Sequence, residues 1–162
     1  MTDPGLEKLL QRLNQSLTED LLVQSVTDNL RQKLDVDRVV LYYFYRQWEG
    51  RVTFESLSSS NYSILGSTGP DDCFNGEYAA LYQNGRVSAI ANIEKTVIAD
   101  CHRDFLKTLR VKANLVVPVV PISGLWGLLV AHHCQHPVNW TKEQITMMQA
   151  GANTLARSET IK

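Results

Sequence analysis

Neither an excess of positive charge nor a long apolar run is found in this sequence. Its 16 Lys and Arg residues nearly balance its 17 Asp and Glu residues, for a formal net charge of -1. That balance argues against nucleic acid or an anionic membrane as the main partner. No apolar stretch approaches the length of a membrane helix, and the first residues lack a signal-peptide pattern. We therefore expect a cytoplasmic domain without membrane contact.

Cysteine is also scarce, with three residues and no C-x-x-C pair. The four histidines all follow residue 100, so no ligand pattern supports a metal site. A chain of 162 residues with 44% apolar and 20% charged residues suits one compact domain. Internal repeats and low-complexity tracts are absent, which excludes solenoids and disordered linkers.

The apolar spacing predicts helices at both ends of the chain. The leucines of residues 5–34 follow a helical period, with an interruption near residues 18–20. Thr141, followed three residues later by Gln144, forms a capping-box pattern that opens a closing helix to Ile161.

Strand patterns fill the middle of the chain. Residues 38–45 and 51–57 are rich in β-branched and aromatic side chains and predict a hairpin. Pro118 and Pro121 favour an edge or bulged position for the strand that contains them. The sequence thus predicts an α+β fold in which a central antiparallel sheet is covered by helices. The remaining expected elements are strands at 87–93, 113–122 and 125–133 and short helices at 75–82 and 101–109.

Two cysteines stand in chemically suggestive surroundings. Cys101 is followed by His102, and an imidazole beside a thiol can activate it as a nucleophile, although a buried structural thiol gives the same dipeptide. Cys73 stands in the run Asp-Asp-Cys-Phe after a long loop, where an ordinary solvated turn is the alternative. His132 and His133 follow each other on a strand, so only one of them can face a given pocket.

These segments together resemble the bilin-binding GAF domains of cyanobacteriochromes. The resemblance rests on both cysteines, the Cys-His pair, VKANLVVP at 111–118 and GLLVAHHC at 127–134, and runs from about Asp37 to the end of the closing helix. Asp71-x-Cys73-Phe74 matches the D-x-C-F motif of the dual-cysteine branch. The resemblance implies a single GAF domain over 1–162, with an N-terminal helical segment at 1–34, a chromophore-binding core at 37–140 and a C-terminal signalling helix at 141–162.

Family membership implies a photoreceptor. Cys101 would hold ring A of phycocyanobilin, or of its isomer phycoviolobilin, through a permanent thioether, and His102 would pack against the pyrrole rings. Cys73 would add reversibly to the C10 bridge. Light would drive a Z/E flip of ring D, converting a blue-absorbing state to a green-, yellow- or orange-absorbing one.

The resemblance also implies supporting roles for other residues. Asp71 would accept hydrogen bonds from pyrrole N–H groups, and His132 would contact ring D or a propionate. Arg86 would clamp a propionate, although a solvated charge is an equal alternative. Lys112 would influence chromophore protonation, and the aromatic residues Phe74 and Tyr82 would line the pocket unless they belong to the core.

Several alternatives remain open at this point. The domain could be a green/red photoreceptor in which proton transfer, without a stable second-cysteine adduct, tunes the colour. It could instead bind a cyclic nucleotide non-covalently, or serve only in dimerisation. We expect no catalytic turnover. Signal output is expected from a histidine kinase, diguanylate cyclase or chemotaxis-type domain of a longer parent protein, with a homodimer through the terminal helices as a further expectation.

Overall fold

Five antiparallel strands form the central sheet. The computed structural model describes residues 3–46, 49–69 and 76–162, with the side chains of 76–79 excepted. The strand order is β2-β1-β5-β4-β3, which confirms the predicted antiparallel sheet. The strands are β1 (Arg38–Arg46), β2 (Glu49–Leu57), β3 (Ser88–Ile90), β4 (Ala113–Val119) and β5 (Gly127–His133).

Five α-helices of the described residues pack around the sheet. They are α1 (Pro4–Glu19), α2 (Leu21–Leu34), α3 (Gly76–Gln83), α4 (Asp100–Thr108) and α5 (Lys142–Leu155), with a short 3-10 turn at Ser60–Tyr62. Among the residues described, no helix has both the length and the hydropathy needed to cross a bilayer.

The predicted interruption of the first helix is confirmed at Asp20. This residue lies between α1 and α2, and its Oδ1 accepts hydrogen bonds from the backbone N–H groups of Leu22 at 2.9 Å and Val23 at 3.2 Å. An aspartate that satisfies the first amides of a helix is a favourable N-cap, so a new helix starts here.

The closing helix is shorter than the predicted span to Ile161. Its start is confirmed, because Thr141 and Gln144 form the capping box, but α5 ends at Leu155. Asp20 accepts hydrogen bonds from the hydroxyls of Ser158 at 2.6 Å and Thr160 at 2.9 Å. These bonds hold the last residues in turns against the α1–α2 junction, and Ile161 is buried there.

The strand that carries Pro118 is not at the edge of the sheet, contrary to the prediction. β4 lies between β5 and β3. However, β3 pairs only with Asn114 to Val116, so β4 has no strand partner on that side at Pro118. A missing N–H is tolerated where no ladder bond is required.

Side chains alternate between two cores across the sheet. On one face, strand residues such as Val39, Leu115 and Leu129 join the buried side chains of α1, α2 and α5. On the other face, Val40, Val116 and Val130 join Tyr42, Val52, Tyr82 and Leu128 in a second apolar cluster. This second face carries the candidate site.

Candidate functional site

A cavity that opens to solvent lies against the second face of the sheet, with about 600 Å³ of empty space when its open part is included. Strands β1, β2, β4 and β5 form its floor, and α3, α4 and the loop at residues 64–69 contribute its other walls. Most of the lining is apolar, including Val40, Val52, Ile64, Phe105, Leu106, Leu109, Val116, Leu128 and Val130.

Helix α4 places the predicted Cys101 and His102 beside this cavity. His102 is half-buried and lines the cavity, whereas Cys101 is exposed and disulfide-bonded. Burial, followed by the positive charge of Arg86, lowers the pKa of His102, so the imidazole is neutral at neutral pH. The helix is anchored by Arg103, whose guanidinium donates to the carbonyls of Ile93 at 2.9 Å and Thr96 at 2.7 Å.

His132 supplies a second imidazole, on the opposite wall of the cavity. Its side chain is 3% exposed, and its Nδ1 accepts a 2.9 Å hydrogen bond from Nε of Arg38. Burial and then the charge of Arg38 hold the pKa of His132 well below its usual value. His132 is therefore a neutral polar group within an apolar wall.

Asn114 lies opposite His132 in the β4–β5 register and also lines the cavity. It is 3% exposed, and its buried Oδ1 accepts no hydrogen bond from any residue that the structure describes. Buried polar atoms normally have a partner, because an unsatisfied one costs about 1–3 kcal/mol. The wall of the cavity therefore includes a residue whose acceptor has no partner among the described residues.

The alternation along β5 separates the two consecutive histidines. His133 lies on the other side of the sheet from the cavity, with Nδ1 3.6 Å from Oδ2 of Asp37. Burial and the neighbouring His136 lower the pKa of His133, and Asp37 opposes them. The free Cys134 follows, and burial raises the pKa of its thiol.

The other predicted site residues differ in their positions. Tyr82 is 2% exposed and lines the cavity, and the guanidinium carbon of Arg86 lies 5.4 Å from the centre of its ring. The side chain of Lys112 is exposed and is not part of the cavity wall. Its effect on a chromophore stays a prediction. Asp71, Cys73 and Phe74 lie outside the described residues.

Two residues of this site were not predicted, Asn114 and Arg38. The sequence offers a signal for each, since Asn114 is a polar residue within the apolar run of β4 and Arg38 opens the apolar strand β1. Neither signal identifies a role without knowledge of the residues across the sheet. No cluster of His, Cys, Asp or Glu suited to a metal ion occurs in the described part of the chain.

A helix-covered antiparallel sheet with a largely apolar cavity on its opposite face defines an α+β domain with a candidate small-molecule pocket. The sequence model of the GAF domain matches residues 18–158. The chain belongs to the GAF domain family.

Two curated relatives show the range of proteins to which the chain is similar. An uncharacterized protein of Picosynechococcus sp. (strain PCC 7002) is 50% identical over 157 residues, which is 96% of both chains. The circadian input-output histidine kinase CikA of Synechocystis sp. (strain PCC 6803) is 30% identical over 158 residues, covering 83% of this chain and 21% of the kinase. The chain thus spans nearly all of the first relative and about a fifth of the second.

Solved structures are similar over most of the domain. The dark and illuminated crystal structure of the cyanobacteriochrome receptor PixJ has a TM-score of 0.77 and 31% identity, covering 91% of this chain and 95% of that chain. The phycocyanobilin-bound GAF domain of a cyanobacterial phytochrome has a TM-score of 0.73 and 26% identity, covering 96% and 93%. The GAF fold is thereby confirmed, and the structural relatives are GAF domains of photoreceptors.

Proposed function

We propose that this domain is a light sensor that binds a linear tetrapyrrole in the cavity, attached through Cys101. The observation that carries the proposal is a largely apolar cavity, lined also by the buried polar residues His132 and Asn114, beside a helix that bears Cys101 and His102. When bound, the pigment supplies visible-light absorption and a double-bond isomerisation.

The buried polar groups fit such a pigment. Linear tetrapyrroles carry N–H donors and carbonyl acceptors on a flat apolar skeleton. The unsatisfied Oδ1 of Asn114 can accept from an N–H group, and the neutral His132 can donate to a carbonyl. The apolar walls and Tyr82 can cover the ring faces, and His102 can pack against the pyrroles without adding a charge.

Attachment requires Cys101 in its reduced form. The thiol would add across a carbon–carbon double bond of ring A. A sulfur–carbon bond forms, the thiol proton is transferred to the neighbouring carbon of that double bond, and neither a leaving group nor an oxidant is needed. The exposure of Cys101 at the start of α4 makes it accessible for this addition.

The dual-cysteine photocycle is the finer part of the proposal. The D-x-C-F motif supports Cys73 as a reversible second partner of phycocyanobilin or phycoviolobilin, with Asp71 and Phe74 as neighbouring contacts. Arg86, whose guanidinium carbon lies 5.4 Å from the centre of the Tyr82 ring, would bind a propionate. A green/red photoreceptor tuned by proton transfer is the alternative within the same class.

Binding of a cyclic nucleotide is less well supported by this cavity. A buried phosphate requires cationic side chains or a helix N-terminus that can donate to it. Among the described residues, the cavity lining includes no lysine and no arginine. A neutral, mainly apolar wall suits the flat ring system of a tetrapyrrole better than a buried phosphate.

Signal output belongs to the same proposal. CikA is a histidine kinase of which this chain matches only a part, which supports a sensory module that acts through other domains. The terminal helices α1, α2 and α5 form one layer and are the natural connection to them, or to a second copy in a homodimer. A cytoplasmic location and the absence of catalytic turnover also belong to the proposal.

The proposal is tested by whether the protein takes up a pigment and whether that pigment is covalently attached. The chain is produced together with enzymes that make phycocyanobilin, purified under a thiol reductant, and separated on a denaturing gel. Zinc-induced fluorescence of the band is expected for the wild type and for Cys134→Ala, and is expected to be lost in Cys101→Ala. A wild-type band without fluorescence contradicts the proposed attachment.

The second cysteine is tested on the same holoprotein. Cys73→Ala is expected to retain covalent pigment and to lose the blue-absorbing state, measured by absorption before and after illumination. Persistence of blue absorption in this variant contradicts the second-cysteine adduct and leaves covalent attachment at Cys101 intact.

A further inference from the structure

Arg38 is a fully buried cation directly behind His132. Its side chain is 0% exposed, and its three donor nitrogens have separate acceptors. Nε donates to Nδ1 of His132 at 2.9 Å, and Nη1 donates to the carbonyl of Tyr62 at 2.9 Å. Nη2 donates to the carbonyl of Leu109, at the end of α4.

The contact with His132 fixes the position of a proton. A guanidinium has only donors, so the ring nitrogen that meets it must be unprotonated. A neutral imidazole then carries its single proton on Nε2. Protonation of Nδ1 would set two donors and two positive charges against each other within a buried site.

The hydrogen-bond partners of Arg38 are unusual for a buried charge. Within the described residues, no carboxylate forms a salt bridge with Arg38, although buried charges are usually paired. Its compensation comes instead from two carbonyls and one imidazole. One carbonyl belongs to the C-terminal end of α4, where the helix dipole favours a cation.

We propose that Arg38 is a positioning residue that holds His132 as a neutral imidazole with its proton on Nε2. His132 is thereby a fixed hydrogen-bond donor to an acceptor group within the cavity. The role of Arg38 does not require the pigment to be a bilin. Only the identity of the acceptor rests on the proposed function.

Other titratable groups around this pair act in different directions. Cys134, Glu55 and Asp37 favour the charge of Arg38, and Arg110 opposes it. His102 lines the same cavity from α4 and is itself kept neutral by burial and by Arg86. The carboxylate of Asp37 accepts from the backbone N–H of Cys134 at 2.7 Å and lies beside His133, so it is directed away from His132.

The proton position can be measured directly on the pigment-free protein. Histidine is labelled with ¹⁵N, and ring nitrogens are observed by long-range ¹H–¹⁵N correlation between pH 5 and pH 8. The loss of one signal set in His132→Gln assigns the resonances. The expected result is an unprotonated Nδ1 and a protonated Nε2 at every pH. A protonated Nδ1 in the wild type overturns the proposal.

Variants separate this role from simple structural support. Arg38→Met removes both the donor and the charge, so protonation of His132 should begin at a higher pH than in the wild type and both tautomers should appear. Arg38→Gln keeps an N–H donor and should retain the wild-type tautomer. Arg110→Gln is the matched control, because Arg110 donates to the carbonyl of Asn61 in the same 3-10 turn and is not bonded to His132.

Results that contradict the positioning role of Arg38 differ from results that contradict the proposed function. An unchanged tautomer and pH response in folded Arg38→Met overturns the positioning role, as does an equal effect of Arg110→Gln. If Arg38→Met does not fold, Arg38→Gln and the wild-type spectrum still decide the matter. Loss of pigment attachment in the zinc-fluorescence assay would contradict the proposed function and leave the measured tautomer unaffected.

Discussion

Replacement of Asn114 by leucine is expected to stabilise the pigment-free protein. Leucine resembles asparagine in shape and removes the buried Oδ1, which accepts no hydrogen bond from the described residues. Relief of an unsatisfied buried polar group is worth about 1–3 kcal/mol. For a domain of this size, each kcal/mol shifts the melting temperature by roughly 2–4 °C. We therefore expect the melting temperature to rise by several degrees.

The assay is thermal unfolding of the pigment-free chain, followed by tryptophan fluorescence, with Trp126 as a core reporter that is 4% exposed. Added apolar volume alone could also stabilise the cavity wall. Val116→Leu is the matched control, since Val116 lines the same cavity from the same strand and has no polar atom to lose. The gain in Asn114→Leu should exceed the gain in Val116→Leu.

In the pigment-bound protein, Asn114→Leu should no longer raise the stability of the domain. If Asn114 accepts a hydrogen bond from the pigment, Asn114→Leu leaves that donor unsatisfied, and the variant becomes no more stable than the wild type. A destabilised pigment-free variant would refute the argument that Oδ1 is unsatisfied. An equal gain with and without pigment would refute a contact between Asn114 and the pigment.

Two further predictions concern the framework of the domain. Asp20→Ala should cost about 1–2 kcal/mol, because Asp20 caps α2 and accepts from Ser158 and Thr160. Burial raises the pKa of Asp20, but its hydrogen bonds outweigh burial, and the pKa is lowered from 3.8. The stability advantage of the wild type over Asp20→Ala in urea unfolding should therefore be complete above pH 3.8 and decrease below it. An advantage that grows in acid would contradict this. Gly127→Ala should cost about 3 kcal/mol by circular dichroism melting, because an added Cβ would overlap the backbone carbonyl of Tyr42, and an unchanged melting curve would contradict that close approach.

Local signals in the sequence were sufficient for most of the fold. The Asp20 interruption, the capping box at Thr141 and the β-branched strands each depend on near neighbours in the chain, and each is confirmed. The prediction was wrong at Ile161 and at Pro118. Long-range contacts decide both positions, namely the hydroxyl bonds to Asp20 and the short pairing of β3 with β4.

The site was predictable only where a motif or a strand period applied. Alternation correctly allowed one of His132 and His133 to face the cavity, and the structure shows that it is His132. Asn114 and Arg38 could not be predicted, because their significance depends on a residue in another strand. A polar side chain in an apolar strand becomes informative only when its partner, or the lack of one, is known.

Where the start of β1 pairs with the end of β5, adjacent residues make contacts on opposite faces of the sheet. Arg38 binds His132 on the cavity face, while the preceding residue, Asp37, lies beside His133 on the helix-covered side. Because Asp37 precedes Arg38 and His133 follows His132, a displacement of the β5 backbone relative to β1 at this point would change both contacts.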